Sequence, residues 1–248
     1  MRAGRYRTFQ ALLLALTGFF LLERVWSGRI LLYINQRYVF LVLLAAVGLI
    51  ILAQVALQER KKERLTEVSG AETPPEAGRS GANLAWLAIP LLLGVLIPAR
   101  SLGTSALNAR GIEVSSPFLL QGASGSVALE RPAAQRSVLD WVRAFYAASE
   151  PGELVGQPVD VIGFVYHDPR LADGQFLLGR YTVACCIADA SALGIVVQWE
   201  PAAELPDNQW VRVQGVLAEG QLDGQRVPVI AAAAVLPITE PDQPYLFP

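Results

Sequence analysis

Gln157-Pro158-Val159-Asp160-Val161-Ile162-Gly163-Phe164-Val165-Tyr166 sets Val159 and Val161 on either side of Asp160 and then runs through aromatic and β-branched residues. That is the pattern of a half-buried β-strand. Four further runs have the same character: Gln175 to Val183, Gly194 to Trp199, Trp210 to Leu217 and Arg226 to Ile238, each bounded by Gly, Pro or Asp. The alternation in Trp210-Val211-Arg212-Val213-Gln214 predicts Val211 and Val213 inside with Val159 and Val161, and Arg212 and Gln214 outside with Asp160. The intervals between these runs are too short for most crossover helices, which argues against a parallel sheet of βαβ units. Five short strands at this rhythm predict an all-β, OB-like five-stranded Greek-key barrel, in which closure removes exposed strand edges.

Working outward toward the N-terminus, Ser137 stands as an N-cap before Val138, Trp141, Val142 and Phe145, which fall on one helical face before Pro151-Gly152. One helix packed on the barrel is expected, giving a C-terminal domain over 137–248. Residues 101–136, with Ser and Gly gathered at 122–126, read as a tether. Everything before it, 1–100, is of another kind.

With 53% hydrophobic and only 17% charged residues, the chain is too apolar for an ordinary soluble domain. Three apolar runs predict membrane spans at about 9–26, 38–57 and 83–99; the second holds about 20 residues without a charge, the length needed to cross a bilayer. The first resembles a leader peptide, but it ends in Glu23-Arg24 with no small-residue cleavage site, so a retained helix is expected. Trp26, Tyr33 and Tyr38 suit the membrane boundary. The third contains Pro90, which neighbouring helices in a membrane can accommodate. Arg60, Lys61, Lys62 and Arg64 open a polar loop at 58–82 rich in Pro and Gly. By the positive-inside rule this loop and Arg2, Arg5 and Arg7 are cytoplasmic, so three spans place the C-terminal domain outside the cytoplasm. A multi-pass protein of the cell membrane is the expectation, with the lipid bilayer as its first partner.

Of 22 acidic residues 16 lie beyond position 111, against seven of 20 basic ones, and none of those seven is a lysine. Such a domain lacks the basic footprint that nucleic-acid binding demands. No nucleophile–base–acid set, phosphate loop or carboxylate pair is visible, and with one histidine and no G-x-S-x-G motif the chain is expected not to be an enzyme.

Both cysteines stand together in Ala184-Cys185-Cys186-Ile187-Ala188-Asp189-Ala190, at the end of the second strand. Two thiolates suit a soft metal or metalloid ion such as Zn(II), Cu(I) or As(III), with Asp189 or His167 as further ligands. Adjacent strand residues face opposite ways, so the pair converges only if a bulge or turn intervenes. The spacing lacks the C-x-x-C or H-x-x-x-H pattern of a structural zinc site. Packing offers a plainer reading, with one cysteine a small buried hydrophobe and the other at the rim; a strained, labile disulfide is a third. His167, before Asp168-Pro169, fits a surface turn, Asp189 fits a turn cap before Ser191, and Arg180 would lower the thiol pKa values only from the same strand face.

The segments Gly156 to Tyr166, Gly179-Arg180-Tyr181 leading into Cys185 to Ala190, Trp210-Val211 and Pro244-Tyr245 together resemble the YcgQ-type family of bacterial membrane proteins. Ser27-Gly28, Tyr33-Ile34 and the stretch from Leu102-Gly103-Thr104 to Arg110-Gly111 extend that resemblance over most of the chain. The resemblance implies two or three N-terminal spans, a C-terminal domain of unknown function and a neighbouring gene for a multi-span permease. The expected function is a membrane-anchored accessory subunit of that permease; the alternative is a thiol-based metal-handling or redox protein acting through Cys185 and Cys186.

Overall fold

The computed structural model describes residues 3–68, 82–110, 112, 131–148 and 151–247. The chain forms two units, residues 1–100 and 101–248. Residues 69–81 of the expected polar loop and 113–130 of the expected tether lie outside the described residues.

The first unit contains α1 (Ala3–Trp26), α2 (Val39–Val68) and α3 (Ala82–Leu96). Two segments, Thr8–Trp26 and Gln36–Glu59, are helical, long and apolar enough to cross a membrane. Small residues let α1 and α2 approach. Ala11, Ala46 and Ala53 are buried, and a Cβ on Gly18 would lie 2.8 Å from Ile50 Cγ1 and 2.9 Å from the Ala46 carbonyl. On each helix the small residues recur seven positions apart, Ala11 with Gly18 and Ala46 with Ala53, which keeps them on one face for close packing in lipid. The connection turns on Gly28, at φ 72°, and on buried Asn35, whose Oδ1 accepts from the Arg37 amide at 3.0 Å. Large apolar side chains cover the outside, among them Phe19, Leu44, Trp86 and Leu96.

Two boundaries differ from expectation. Helix α2 continues to Val68, so the basic cluster at 60–64 rides on helical turns rather than in a loop, because Glu, Lys, Arg and Leu are all good helix formers. The third run forms a helix of 15 residues, about 22 Å long, which stops before Pro98 rather than running to 99. Alone it falls short of the roughly 30 Å hydrocarbon core.

In the second unit, α4 (Thr104–Arg110) and α5 (Val138–Ala147) precede β1 (Pro158–Tyr166), β2 (Gln175–Thr182), β3 (Ser191–Gln198), β4 (Trp210–Leu222), β5 (Gln225–Pro237) and β6 (Tyr245–Leu246). The sheet is mixed, with six strands rather than five. β1 pairs antiparallel with both β4 and β2, β2 with β3, and β4 with β5, whereas β3 runs parallel to β5; these pairings return to β1 and make a ring of five strands. The short β6 adds to the outside of β2 in parallel, a pairing that alternation of apolar residues cannot reveal in so short a segment. Val159, Val161, Val211 and Val213 are buried, as their alternation requires. On the outer face Asp160 accepts two 2.7 Å hydrogen bonds from Arg212 and one of 3.1 Å from Gln214.

Helix α5 closes one end of the core. A capping box joins Ser137 and Asp140, and Val138, Trp141, Val142 and Phe145 are all buried against the strands. Each of the larger of these side chains contributes about 1.5–3 kcal/mol by leaving water. Residues 101–110 and 112, expected as part of a tether, are fastened to the sheet. The Leu102 amide donates to Tyr245 Oη at 2.9 Å, Tyr181 Oη donates to the Gly103 carbonyl at 2.9 Å, and the Thr104 amide donates to Asn208 Oδ1 at 3.1 Å. Leu107 is buried, and Ile112 packs on a second apolar cluster with Leu177, Val196 and Val229. This cover buries the outer face of β2, whose residues Phe176 to Thr182 show no alternation of exposure.

Candidate functional site

The turn between β2 and β3 carries the two cysteines. Strand β2 ends at Thr182, and Cys186 begins a one-turn 3-10 helix, Ile187–Asp189. The cysteines therefore leave the alternating geometry of the strand, and their sulfurs lie on one side, 3.6 Å apart. Neither packs in the core: Cys185 is exposed and Cys186 half-exposed, which overturns the reading of one of them as a buried hydrophobe. Both are free thiols rather than a disulfide.

Asp189 organises this turn. Its Oδ2 accepts from the amides of Cys185 at 2.7 Å and Cys186 at 3.3 Å, and its Oδ1 accepts from the Ala184 amide at 3.0 Å. In return the Asp189 amide donates to the Cys186 side chain, completing a capping box in which a thiol takes the place of the usual hydroxyl. Burial opposes ionisation of Asp189, yet the hydrogen bonds from the Cys185 thiol and from these amides outweigh it and hold the carboxyl below its ordinary value. The same carboxylate, and then the Cys186 thiol, push the Cys185 thiol up to about 11. One donor atom from each of Cys185, Cys186 and Asp189 lies within 4.8 Å of the others.

His167 does not join them. It follows β1, at the end of β2 opposite the cysteine turn, so the eight residues of β2, about 26 Å, intervene. Its Nδ1 lies 2.8 Å from Asp207 Oδ1 and its Nε2 3.1 Å from the Ala202 carbonyl, leaving neither ring nitrogen for an ion. It ties the β1–β2 turn to the segment before β4, the surface-turn role that its Asp-Pro context implies.

Arg180 is also turned away from the thiols. Its side chain is buried over the Trp210 ring, 5.1 Å from the centroid, with Nη1 donating to the Ile162 carbonyl at 3.4 Å and Nη2 to that of Gln243 at 3.2 Å. Desolvation pushes its guanidinium down to about 10, and Nε has no hydrogen-bond partner. Sequence reasoning found Asp189 but not the extent of its work on the backbone. The signal is its place three residues after Cys186, the spacing of a capping box.

Two family models match this chain, the DUF1980 N-terminal domain over residues 9–113 and the DUF1980 C-terminal domain over residues 136–248. Over 39% of its length it is 28% identical to the UPF0703 protein YcgQ of Bacillus subtilis (strain 168), and that match spans 35% of the Bacillus protein. Over 89% of its length it is 23% identical to a protein of Streptococcus mutans serotype c named as a putative two-component membrane permease complex subunit, of which it covers 92%. Among solved structures, 34% of the chain aligns with 95% of a small single-stranded DNA-binding protein from Streptomyces coelicolor, at 16% identity and a TM-score of 0.22. With one domain model on either side of its unmatched middle and relatives along most of its length, the chain belongs to the YcgQ-type, DUF1980 family.

Proposed function

We propose that this chain is a membrane-anchored, non-enzymatic accessory subunit of a multi-span permease, and that its C-terminal unit is an OB-type barrel held on the outer side of the membrane. The observation that carries the permease reading is the likeness to the Streptococcus subunit along 89% of the chain. The first unit supports it physically. Its helices expose Leu44, Trp86, Leu92 and Leu96, an apolar surface that only lipid or other membrane helices can cover. The barrel reading is supported by the five-strand ring, with its single parallel pair β3–β5 and its antiparallel remainder.

Sidedness is argued from α1 and α3. Arg24, two residues before the end of α1, donates from Nη2 to the carbonyl of Gly94, two residues before the end of α3, at 2.8 Å. The C-terminal ends of both helices therefore meet, and the chain leaves α3 at the level where it left α1, away from the N-terminal end of α1. Such an exit, with the positive-inside rule, favours an extracytoplasmic C-terminal unit. Membrane neighbours would complete the short α3.

Two experiments test these readings. A reporter that works only outside the cytoplasm, fused after Pro248, should be active; a silent reporter beside an active cytoplasmic one would overturn the sidedness. A photo-crosslinking residue at Leu44 or Trp86 of the full chain, in its native membrane, should give a covalent adduct with one multi-span permease. Adducts with lipid alone at both positions would sink the subunit reading.

A further inference from the structure

We propose that Cys185, Cys186 and Asp189 form a binding site for one thiophilic divalent cation of the Zn(II) class, with open positions left for water or for a ligand brought by a partner. This inference is independent of the permease reading, since it rests on the turn alone.

The sulfur separation selects the geometry. At a metal–sulfur bond of about 2.3 Å, two sulfurs 3.6 Å apart subtend an angle of about 100° at the metal. That is close to tetrahedral and far from the linear arrangement that two-coordinate Cu(I) adopts. The donor set points the same way. Two sulfurs with one carboxylate oxygen suit a borderline ion better than a very soft one, which would discriminate against the oxygen.

The turn is also organised around these atoms. Asp189 is fixed by three backbone amides, so its carboxylate needs no reordering to present its unused lone pairs. Its own amide already donates to the Cys186 sulfur, the kind of N–H···S bond that supports a metal-bound thiolate. Cys185 and Asp189 are exposed, so an ion reaches the site without unfolding anything. Packing accounts for none of this, because neither cysteine is buried. Binding is balanced by proton release: one M(II) replaces the two thiol protons, which pass to water, and the complex of two thiolates and one carboxylate carries a single negative charge.

The full-length chain, purified anaerobically in detergent micelles, is titrated with Cd(II) and Zn(II), and the sulfur-to-cadmium charge-transfer absorption is followed. One Cd(II) per chain should bind with that absorption, and Zn(II) in large excess should displace it. Cys185→Ser keeps a hydrogen-bond donor and leaves the cap intact, so it should retain the fold while weakening binding by about 100-fold. Asp189→Asn, which removes the carboxylate ligand, should weaken it by at least about 10-fold. Equal Cd(II) affinity in Cys185→Ser, or a Cys185–Cys186 disulfide in the anaerobically isolated chain, would each overturn the site.

Discussion

Arg24 Nη2 donates a 2.8 Å hydrogen bond to the backbone carbonyl of Gly94. In an uninterrupted helix that carbonyl would accept from the amide four residues on, but residue 98 is proline and has no N–H to give. The guanidinium supplies the missing donor and spreads its charge over the Phe20 ring, 4.8 Å away, while Glu23 lies 3.4 Å from its Nε. Phe20 in turn packs on Gly94, where a Cβ would come within 2.9 Å of the ring. This polar contact thus fastens the end of α3 to the end of α1 where the sequence deprives α3 of its own hydrogen bond.

Arg24→Leu should release this fastening. The expected loss is about 1 kcal/mol, the usual size of an interhelical hydrogen bond in a membrane protein, together with whatever Phe20 packing relaxes. Thermal unfolding of the full chain in detergent checks it, and Arg24→Lys should recover part of the loss because an ammonium can donate to the same carbonyl. Identical melting of the leucine variant and the parent chain would show that the contact contributes nothing.

Gly18→Val attacks the contact between α1 and α2. Its Cβ would meet the backbone carbonyl of Ala46, which cannot swing aside as a side chain can, as well as Ile50. Overpacking of this sort costs roughly 1–3 kcal/mol, and β-branching adds methyl groups to the same crowded face. Gly48→Val is the matched control, since nothing lies within 4 Å of a Cβ there. A melting temperature lowered at Gly18 but not at Gly48 is the expected result.

Much of the strand ring was legible in the sequence because strands such as β1 and β4 have two unlike faces. Val159, Val161, Val211 and Val213 alternate with Asp160, Arg212 and Gln214, and period-two patterns survive without tertiary context. Strand β2 carried no such mark, since residues such as Gly103 and Ile112 cover its outer face, and contacts between segments so far apart leave no periodic trace. The same cause hid β6: Tyr245 reads as an isolated aromatic until its hydroxyl is seen to hold Leu102. At the candidate site, residue types pointed to Cys185, Cys186 and Asp189, but only the turn geometry could show that the sulfurs converge, and the reach to His167 had no local signal to test it.

Gly215→Ala should be among the most disruptive single changes in the second unit. The register of β4 against β5 slips between Gln214 and Gly215, a bulge that brings Gly215 so close to the Ala231 carbonyl that an added Cβ would overlap it. Both sides of that clash are backbone, so relief requires the strands to part. A loss of about 2 kcal/mol or more is expected, read as a lower melting temperature and faster amide exchange along β4 and β5; unchanged exchange would refute the account.

Asp168 contributes to the acid dependence of stability. Its buried carboxylate accepts from Arg170 Nη2 at 2.7 Å, from Arg170 Nε at 2.9 Å and from the Arg170 amide at 3.0 Å, while Arg170 Nη1 reaches Asp223 at 3.1 Å and so links the β1–β2 turn to the β4–β5 hairpin. The Arg170 side-chain hydrogen bonds, partly opposed by burial, hold the Asp168 carboxyl below its ordinary value. A folded-state pKa below the unfolded one means that the stabilisation is fully present above the unfolded value, about 3.9, and is lost as pH falls from there through the folded value. Asp168→Asn keeps the size of the side chain and removes the charge. It should cost about 1 kcal/mol near neutral pH, discounted because Arg170 is half-exposed. The melting-temperature gap between parent and variant should then narrow as pH is lowered below about 4, because the parent loses the same charge by protonation. A gap of constant width across that range would mean that Asp168 acts through its shape alone.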